Sequence, residues 1–578
     1  MKGVFDFMAR IKTKQGAPKT LSCKFGGMGK YAPLSPLGAE EVRNFRILPN
    51  GGMRVRSGYI LKKHFIGNQP VRGVWEGTLG ASSLLFAVAG NTIYLLSGDE
   101  MTETAVGTVS ADTSSAHFFV HEDVLYLLDG SNIYTYSPAS KKFAVIEPYV
   151  PLYGYAWSPT SYGEINEEIN LLTPRLRVHY YNTDGATEFK LPYHADSIEV
   201  VRANGQKISG YGFSPGSNKI TVSSAPIVLE VGLTVALNEE LRAAILATQM
   251  SFIYSRNGNN RLMLWGNDAR LFFAKDVTTP MLSSCQVYYP KVSPLYFCKD
   301  DVFFLGDSTH PVTALCPLYE TLLAFTSDRI WNISFDKDGI IQATLAMHDM
   351  GCSSPKGVIP YDGGALVAMR GSIYHLTASS ARPEDLSLER ISAGVEDRFP
   401  AEFTEGGVEM IRNFGDGEVW IHNPTCPSAA VWVWNTESKE WYTFTAIDAT
   451  LFFKIMGKIG FAYGSDIFLF DRQENTDNGS PIDAYYKSAY FDFGAPDSIR
   501  RSMRALLYAS PNKSSSMVQF ETEQEGVTYH LTSPSGKAVP QLHDIRMPTR
   551  RYRFLRFSIT TASAEATEFY KLDLYSRP

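Results

Sequence analysis

Nucleotide chemistry needs a glycine-rich loop that cradles phosphate, and Gly26-Gly27-Met28-Gly29-Lys30 is a candidate for one. The Walker pattern requires a Gly five places before Gly29 and a Ser or Thr after the Lys. Lys24 and Tyr31 stand there, so the backbone cradle and the magnesium hydroxyl are both missing. Gly210-Tyr211-Gly212-Phe213-Ser214-Pro215-Gly216 approaches a dinucleotide fingerprint. Its last Gly comes one place late, and Pro215 opposes the helix that should receive a pyrophosphate. His121-Glu122-Asp123-Val124-Leu125 begins like a zinc-binding helix but has Leu125 where the second His belongs. Asp336-Lys337-Asp338-Gly339 begins like a calcium loop, yet with Gly339 at the sixth position the twelfth is Leu345, which cannot supply a bidentate carboxylate.

The remaining chemistry-bearing residues are dispersed. Eleven histidines show no ligand spacing, and Cys23, Cys285, Cys298, Cys316, Cys352 and Cys426 form neither a CxxC pair nor a disulfide framework. Buried free thiols are expected. The segment Ser334-Phe335-Asp336-Lys337-Asp338-Gly339 starts like the Asp-box of sialidases but lacks the Thr-Trp that should follow. A carboxylate pair for glycoside hydrolysis is defined by separation in space and leaves no spacing to read. The sequence therefore nominates no catalytic, cofactor-binding or metal-ligating residue, and no cofactor is expected.

What the chain does repeat is a structural phrase: a Gly, Ser or Asp turn, one or two polar residues, then a branched aliphatic followed by an aromatic. It reads Gly90-Asn91-Thr92-Ile93-Tyr94, Asp129-Gly130-Ser131-Asn132-Ile133-Tyr134, Ser327-Asp328-Arg329-Ile330-Trp331, Gly371-Ser372-Ile373-Tyr374, Asp416-Gly417-Glu418-Val419-Trp420 and Gly464-Ser465-Asp466-Ile467-Phe468. Ile93 to Ile133 is 40 residues, Ile330 to Ile373 is 43, Ile373 to Val419 is 46 and Val419 to Ile467 is 48. A period of about 40 to 50 residues built from short strands predicts a β-propeller. With 31 Tyr and 34 Phe among many Val, Ile and Thr, the composition favours pleated surfaces and an all-β fold.

The rhythm breaks between Ile133 and the next anchor, Leu271, and an insertion over 153–240 restores it. Inside that span Asn182-Thr183-Asp184-Gly185 and Asn204-Gly205 mark turns between alternating segments, which predicts an inserted β-sandwich. Asn238 before Glu239-Glu240 caps the clearest helical candidate. The expected architecture is all-β: a propeller of six or seven blades with an inserted and a C-terminal β-sandwich. Its parts are a basic N-terminal arm and closing strand (1–60), propeller blades (61–152), the insert (153–240), further blades (241–475) and the C-terminal sandwich (476–578). Trp432, Trp434 and Trp441 are expected to pack between blades.

Charge is unevenly distributed. The net value is −6, but residues 1–60 hold eleven Lys or Arg against Asp6, Glu40 and Glu41, a local balance of +8 that leaves −14 for the rest. A basic, Gly- and Pro-rich arm on an acidic body suits docking on an acidic neighbour or on another copy. That arm reads as mostly irregular, ordered by what it touches. The opening residues lack a secretory apolar core and no stretch approaches 18 apolar residues, so a soluble, cytosolically made chain without a membrane segment is expected.

One layout is familiar. Asn260-Arg261-Leu262-Met263-Leu264-Trp265-Gly266-Asn267, Arg270-Leu271-Phe272-Phe273-Ala274, Leu295-Tyr296-Phe297, Pro311-Val312-Thr313-Ala314-Leu315 and Leu322-Leu323-Ala324-Phe325 follow Val42-Arg43-Asn44-Phe45-Arg46-Ile47 and Gly52-Met53-Arg54-Val55-Arg56-Ser57-Gly58-Tyr59. This order resembles the tail nozzle, or packaged-DNA stabilisation, proteins (tail hub proteins) of short-tailed bacteriophages. The resemblance implies a non-enzymatic structural virion protein, made in the host cytoplasm, assembled as a homohexamer below the portal and adaptor. Tail fibres or tail spikes are its implied neighbours, and packaged double-stranded DNA passes through the lumen without sequence-specific binding. An acidic wall suits that task, because each phosphate neutralised by Lys or Arg releases counterions and would hold the duplex back. The alternatives are a glycan- or receptor-binding propeller using Trp420, Trp432 or Trp441 as platforms, and a glycoside hydrolase.

Overall fold

A computed structural model describes residues 19–29, 38–110, 115–256, 259–266, 269–275, 295–305, 310–318, 321–335, 341–379, 382–399, 403, 407–494, 499–510, 516–523, 526–531, 541–546 and 551–577. Among the described residues seven four-stranded antiparallel units follow one another as blades, five as separate sheets and two as parts of a 14-stranded sheet. Blade 1 runs from Val71–Leu79 to Thr102–Thr108, blade 2 from His117–His121 to Lys142–Val145, and blade 3 from Met250–Arg256 to Val302–Phe304. Blade 4 runs from Val312–Leu318 to Ile341–Met347, blade 5 from Val358–Tyr361 to Arg382–Arg390, and blade 6 from Glu409–Asn413 to Trp441–Phe444. Blade 7 takes Leu451–Ile455, Lys458–Tyr463 and Asp466–Phe470 from late in the chain, and its outer strand, Tyr59–His64, from the N-terminal region.

The blades form a ring because their second strands are apolar on both faces, each face burying against a different neighbour. In Ser82–Ala89, Leu85, Ala87 and Ala89 pack with Phe453, Ile455 and Ile467 of blade 7. The alternate residues Phe86 and Val88 pack with Phe118, Leu125 and Leu127 of blade 2. The same two-sided use recurs around the ring: Leu262 and Leu264 face blade 2 while Met263 and Trp265 face blade 4, and Leu323 and Phe325 meet Ala365 and Val367 of blade 5. A strand period of two thus turns each apolar run into two inter-blade seams.

Five of the six repeated phrases are the turns into third strands. Asp129 shows why the turn is polar: its buried carboxylate accepts from the backbone N–H of Ser131 (2.9 Å), Asn132 (2.7 Å) and, from the preceding inter-blade link, Ser110 (2.8 Å). The sixth phrase departs from this pattern. Asp416-Gly417-Glu418-Val419-Trp420 leads into Glu418–His422, the second strand of blade 6, because tight-turn grammar fits either hairpin.

The described part of the N-terminal arm, residues 19–29 and 38–60, is more structured than its composition suggests, a correction to the irregular arm expected there. Lys19–Cys23 joins the edge of the C-terminal strand Glu568–Arg577, and Ala39–Arg43 lies between the outer strand of blade 6 and Ser480–Ser488. Phe45–Ile47 and Met53–Val55 form a hairpin on the same C-terminal sheet. Cys23, Phe25, Val42, Phe45 and Met53 are buried, joining cores made by other segments rather than building their own. Through these strands blades 6 and 7 and half of the C-terminal sandwich become one 14-stranded sheet. The other half of that sandwich is a seven-stranded sheet centred on Arg500–Ala509 and Glu568–Arg577.

The insert leaves after the outer strand of blade 2 and returns before blade 3. A five-stranded and a three-stranded sheet enclose a core of its own, including Leu176, Tyr180, Phe189, Val201, Ile220 and Leu233. Asn204 (φ 47°) and Gly205 (φ 82°) make the tight turn between Ser197–Ala203 and Gln206–Lys207, where both residues need positive φ. The root is pinned by polar side chains. Tyr149 donates its hydroxyl to both Glu167 carboxylate oxygens at 3.0 Å, and the wholly buried Asn170 donates to the carbonyls of Tyr149 (2.8 Å) and Leu295 (3.1 Å). The capped helix Glu239–Leu246 leads into blade 3, with the Asn238 side chain accepting from Leu241 N–H. Among the described residues no helix is long and apolar enough to cross a membrane.

Candidate functional site

The displaced phrase in blade 6 and the N-terminal hairpin converge. Arg46, at the centre of Phe45–Ile47, donates Nε to Glu418 Oε1 (2.7 Å) and Nη2 to Glu418 Oε2 (3.2 Å), and pairs with Asp416 Oδ2 (3.1 Å). Trp420 Nε1 (2.8 Å) and the Tyr442 hydroxyl (2.8 Å) also donate to Glu418. Arg56, 1% exposed, makes the parallel contact: Nη1 and Nη2 to the two Asp477 oxygens (2.8 and 2.6 Å), and Nε to Asn44 Oδ1 (2.9 Å). Both guanidinium carbons lie over the Phe444 ring, at 5.5 and 5.8 Å. Two buried bidentate pairs therefore fasten the arm beneath blade 6.

Above Arg46 a cavity of about 540 Å³ opens between blades 6 and 7, with Trp420, Ile459 and Phe470 as its apolar lining and Asp416, Lys458, Asp471 and Arg472 as its charged one. A smaller one of about 300 Å³ adjoins it toward the C-terminal sandwich, sharing Ser57, Asp416 and Arg472. Burial alone would raise the Asp416 carboxyl, but Arg46 and Arg472 outweigh it and hold the group below the usual carboxylate range. The Gln473 backbone N–H and then the Lys458 ammonium do the same for Asp471. Burial penalises the charge on Arg46, yet Glu418 and Asp416 more than reverse this and strengthen its hold on the proton.

Glycoside hydrolysis requires one carboxyl that stays protonated to serve as general acid. Here Asp416 and Asp471 are both kept ionised by cations, so the pair supplies no proton. The Asp416 carboxylate joins Arg46 of the arm to Arg472 of the segment that leaves blade 7 (2.8 Å). Chemically the arrangement is a clamp.

Charged and imidazole side chains of several blades come close together. Lys356, just before the first strand of blade 5, pairs with Glu409 of blade 6 (3.4 Å) and reaches His117 of blade 2 and His422 of blade 6 electrostatically. Burial, then Lys356, pushes His117 down to about 4 and His422 down to about 3.

The motifs weighed from sequence fall in structural roles. Gly27 donates its N–H to buried Glu440 (2.6 Å), and a Cβ there would meet that side chain at 2.6 Å, so this glycine serves close packing on blade 6, while Gly29 packs against Gly394 and Val395. His121 is buried at a strand end, and Glu122 and Asp123 form the positive-φ turn that follows. Tyr211–Gly212 pairs with Lys219–Val222 inside the insert. Trp420, Trp432, Trp434 and Trp441 are all at most 5% exposed, which removes the three named platforms from contact with a glycan. Cys23, Cys298, Cys316 and Cys352 are buried and free, with burial pushing each thiol up to about 12. Asp336-Lys337-Asp338-Gly339, Lys30 and Cys285 lie outside the described residues. No group of three potential metal ligands occurs among the described residues.

Sequence reasoning missed the clamp, although its parts were in view. Arg46, Arg54, Arg56 and Ser57 lie in the opening segments that carry the family resemblance, and Asp416 and Glu418 lie in a repeated phrase. The available signal was the pair of acids occupying turn and spacer positions in that phrase alone.

No protein family matches the chain by sequence, and no curated protein matches it. Three solved structures that resemble it are each 8% identical to it. They include the AfRom2 CNH domain (TM-score 0.37; 72% of this chain, 99% of that one) and the extracellular domain of the one component system BT4673 from B. thetaiotaomicron (0.38; 90% and 61%). An exo-beta-1,3-galactanase from Phanerochaete chrysosporium is a third (0.24; 90% and 99%).

Proposed function

We propose that this chain is a non-enzymatic structural protein of a short-tailed phage tail, forming with further copies a ring below the portal and adaptor that retains packaged DNA and lets it leave. The observation that carries the reading is the 14-stranded sheet, in which N-terminal strands join two blades to the C-terminal sandwich without a flexible linker. Such continuity suits a part that transmits load, because relative motion of the modules would require breaking a backbone ladder and extracting Arg46 and Arg56 from buried pairs. The segments that resemble nozzle proteins fall on blades 3 and 4 and on this N-terminal stitch.

In this reading the conduit is the space enclosed by the ring of copies. In the same reading the insert, which has a separate core and a pinned root, is the part that meets an adjoining tail component. The test is cryo-electron microscopy and mass photometry of the purified protein, alone and with portal and adaptor. Closed rings, six-fold in the expectation, that join the portal–adaptor stack support the reading. A protein that stays monomeric and never joins a tail overturns it.

A further inference from the structure

The antiparallel order of each blade places its first-to-second and third-to-fourth turns on one face of the ring. On that face, where blades 5, 6 and 7 meet, three cations alternate with three aromatic rings. Arg412 Cζ lies 5.3 Å from the Tyr361 ring centroid and 4.6 Å from that of Phe414. Lys454 Nζ lies 4.4 Å from the same Phe414 ring. Lys439 Nζ donates to the Tyr361 hydroxyl (2.9 Å) and sits 4.8 Å from the Trp434 ring. Tyr361 and Trp434 are buried supports, whereas Phe414 is 70% exposed.

These cations differ from others in this part of the ring, which are paired with acids. Lys356 is paired with Glu409 and Arg46 with Glu418, but Arg412, Lys439 and Lys454 have no carboxylate partner among the described residues. Burial and the neighbouring Arg412 both pull the Lys454 pKa below the usual lysine value, as expected where like charges gather. The rings hold the cations in place without neutralising them, since a cation over a ring keeps its full charge.

We infer that this patch binds single-stranded nucleic acid, with Arg412, Lys439 and Lys454 taking backbone phosphates and Phe414 stacking against a base. The exposed ring is what selects this ligand over an acidic peptide. A nucleobase gains about 1–3 kcal/mol by stacking on an aromatic side chain, while a run of carboxylates gains nothing from bare phenyl surface. It also selects single strands over duplex, whose bases are stacked on one another. The inference concerns one copy of the chain and stands or falls independently of the tail reading.

The experiment is fluorescence anisotropy of the full-length protein with a labelled oligothymidylate of about 12 nucleotides, across salt from about 50 to about 200 mM. Saturable binding is expected, with log K falling against log salt at a slope of about −2 for three phosphate contacts on a single strand. Phe414→Ala is expected to weaken binding about tenfold with the slope unchanged. Arg412→Gln combined with Lys454→Gln is expected to flatten the slope; circular dichroism checks that these surface variants stay folded. The inference is overturned by absence of saturable binding at the lowest salt, by wild-type affinity in the variants, or by equal competition from duplex DNA or polyglutamate.

Discussion

Arg46 and Glu418, separated by 372 positions in the chain, meet side chain to side chain with Nε 2.7 Å from Oε1. Glu418 is 1% exposed and accepts from Arg46, Trp420 and Tyr442. Removing one partner of such a pair leaves an uncompensated buried charge, at a cost of about 3–5 kcal/mol. Arg46→Met alone is therefore expected to lower stability by that amount. The double replacement Arg46→Met with Glu418→Leu is expected to recover part of the loss. Urea unfolding of the single and double variants measures both.

Two histidines set an acid limit. His422 is 4% exposed and neutral in the fold, with its pKa pushed down to about 3, far below an ordinary histidine near 6.5. A depressed basic group binds its proton more readily in the unfolded chain, so stability is expected to fall as pH drops from about 6.5 toward 3, at up to about 1.4 kcal/mol per pH unit. Asp416 adds to the loss in the lowest part of that range. Its pKa is depressed by Arg46 and Arg472, so its contribution is present above about 4 and disappears as it protonates. Urea midpoints at pH 7, 6 and 5 test the slope, and His422→Phe is expected to flatten it.

Ring closure rests on a single strand. Tyr59–His64 pairs with Asp466–Phe470, and Ile60 lies opposite Leu469. Proline at Ile60 removes a backbone donor and constrains its neighbour, a change tolerated poorly within a ladder. Ile60→Pro is expected to open the seam between blades 7 and 1, read out as faster limited proteolysis near residues 65–71 while the insert keeps its wild-type resistance.

The insert's orientation is expected to depend on Glu167. Its carboxylate satisfies the Tyr149 hydroxyl and the Leu152 N–H, so Glu167→Ala leaves two buried donors unpaired, each worth about 1–3 kcal/mol. Hydrogen exchange should quicken at 149–153 and 166–172 with little change in Leu229, Val231 or Leu233, whose core is separate.

The sequence made the ring legible because a blade is a local object. Its turns, such as Asp129-Gly130, and its two-sided strands, such as Ser82–Ala89, are written in consecutive residues. The capped helix after Asn238 was legible for the same reason. The clamp was not, because Arg46 owes its role to Glu418 and Arg56 to Asp477, partners hundreds of residues away that leave no mark on local spacing. The composition of the arm misled for a related reason. A strand that completes another segment's sheet needs only a few apolar residues, such as Val42 and Phe45, and looks irregular when judged alone.

The strand Tyr59–His64 and its partner Asp466–Phe470 also order events during synthesis. The first emerges from the ribosome early, and the second appears only after about 400 further residues, which at about 5–20 residues per second is on the order of tens of seconds later. Throughout that interval Tyr59–His64 lacks the strand it pairs with in blade 7, so the order of synthesis makes blade 7 the last blade to be completed.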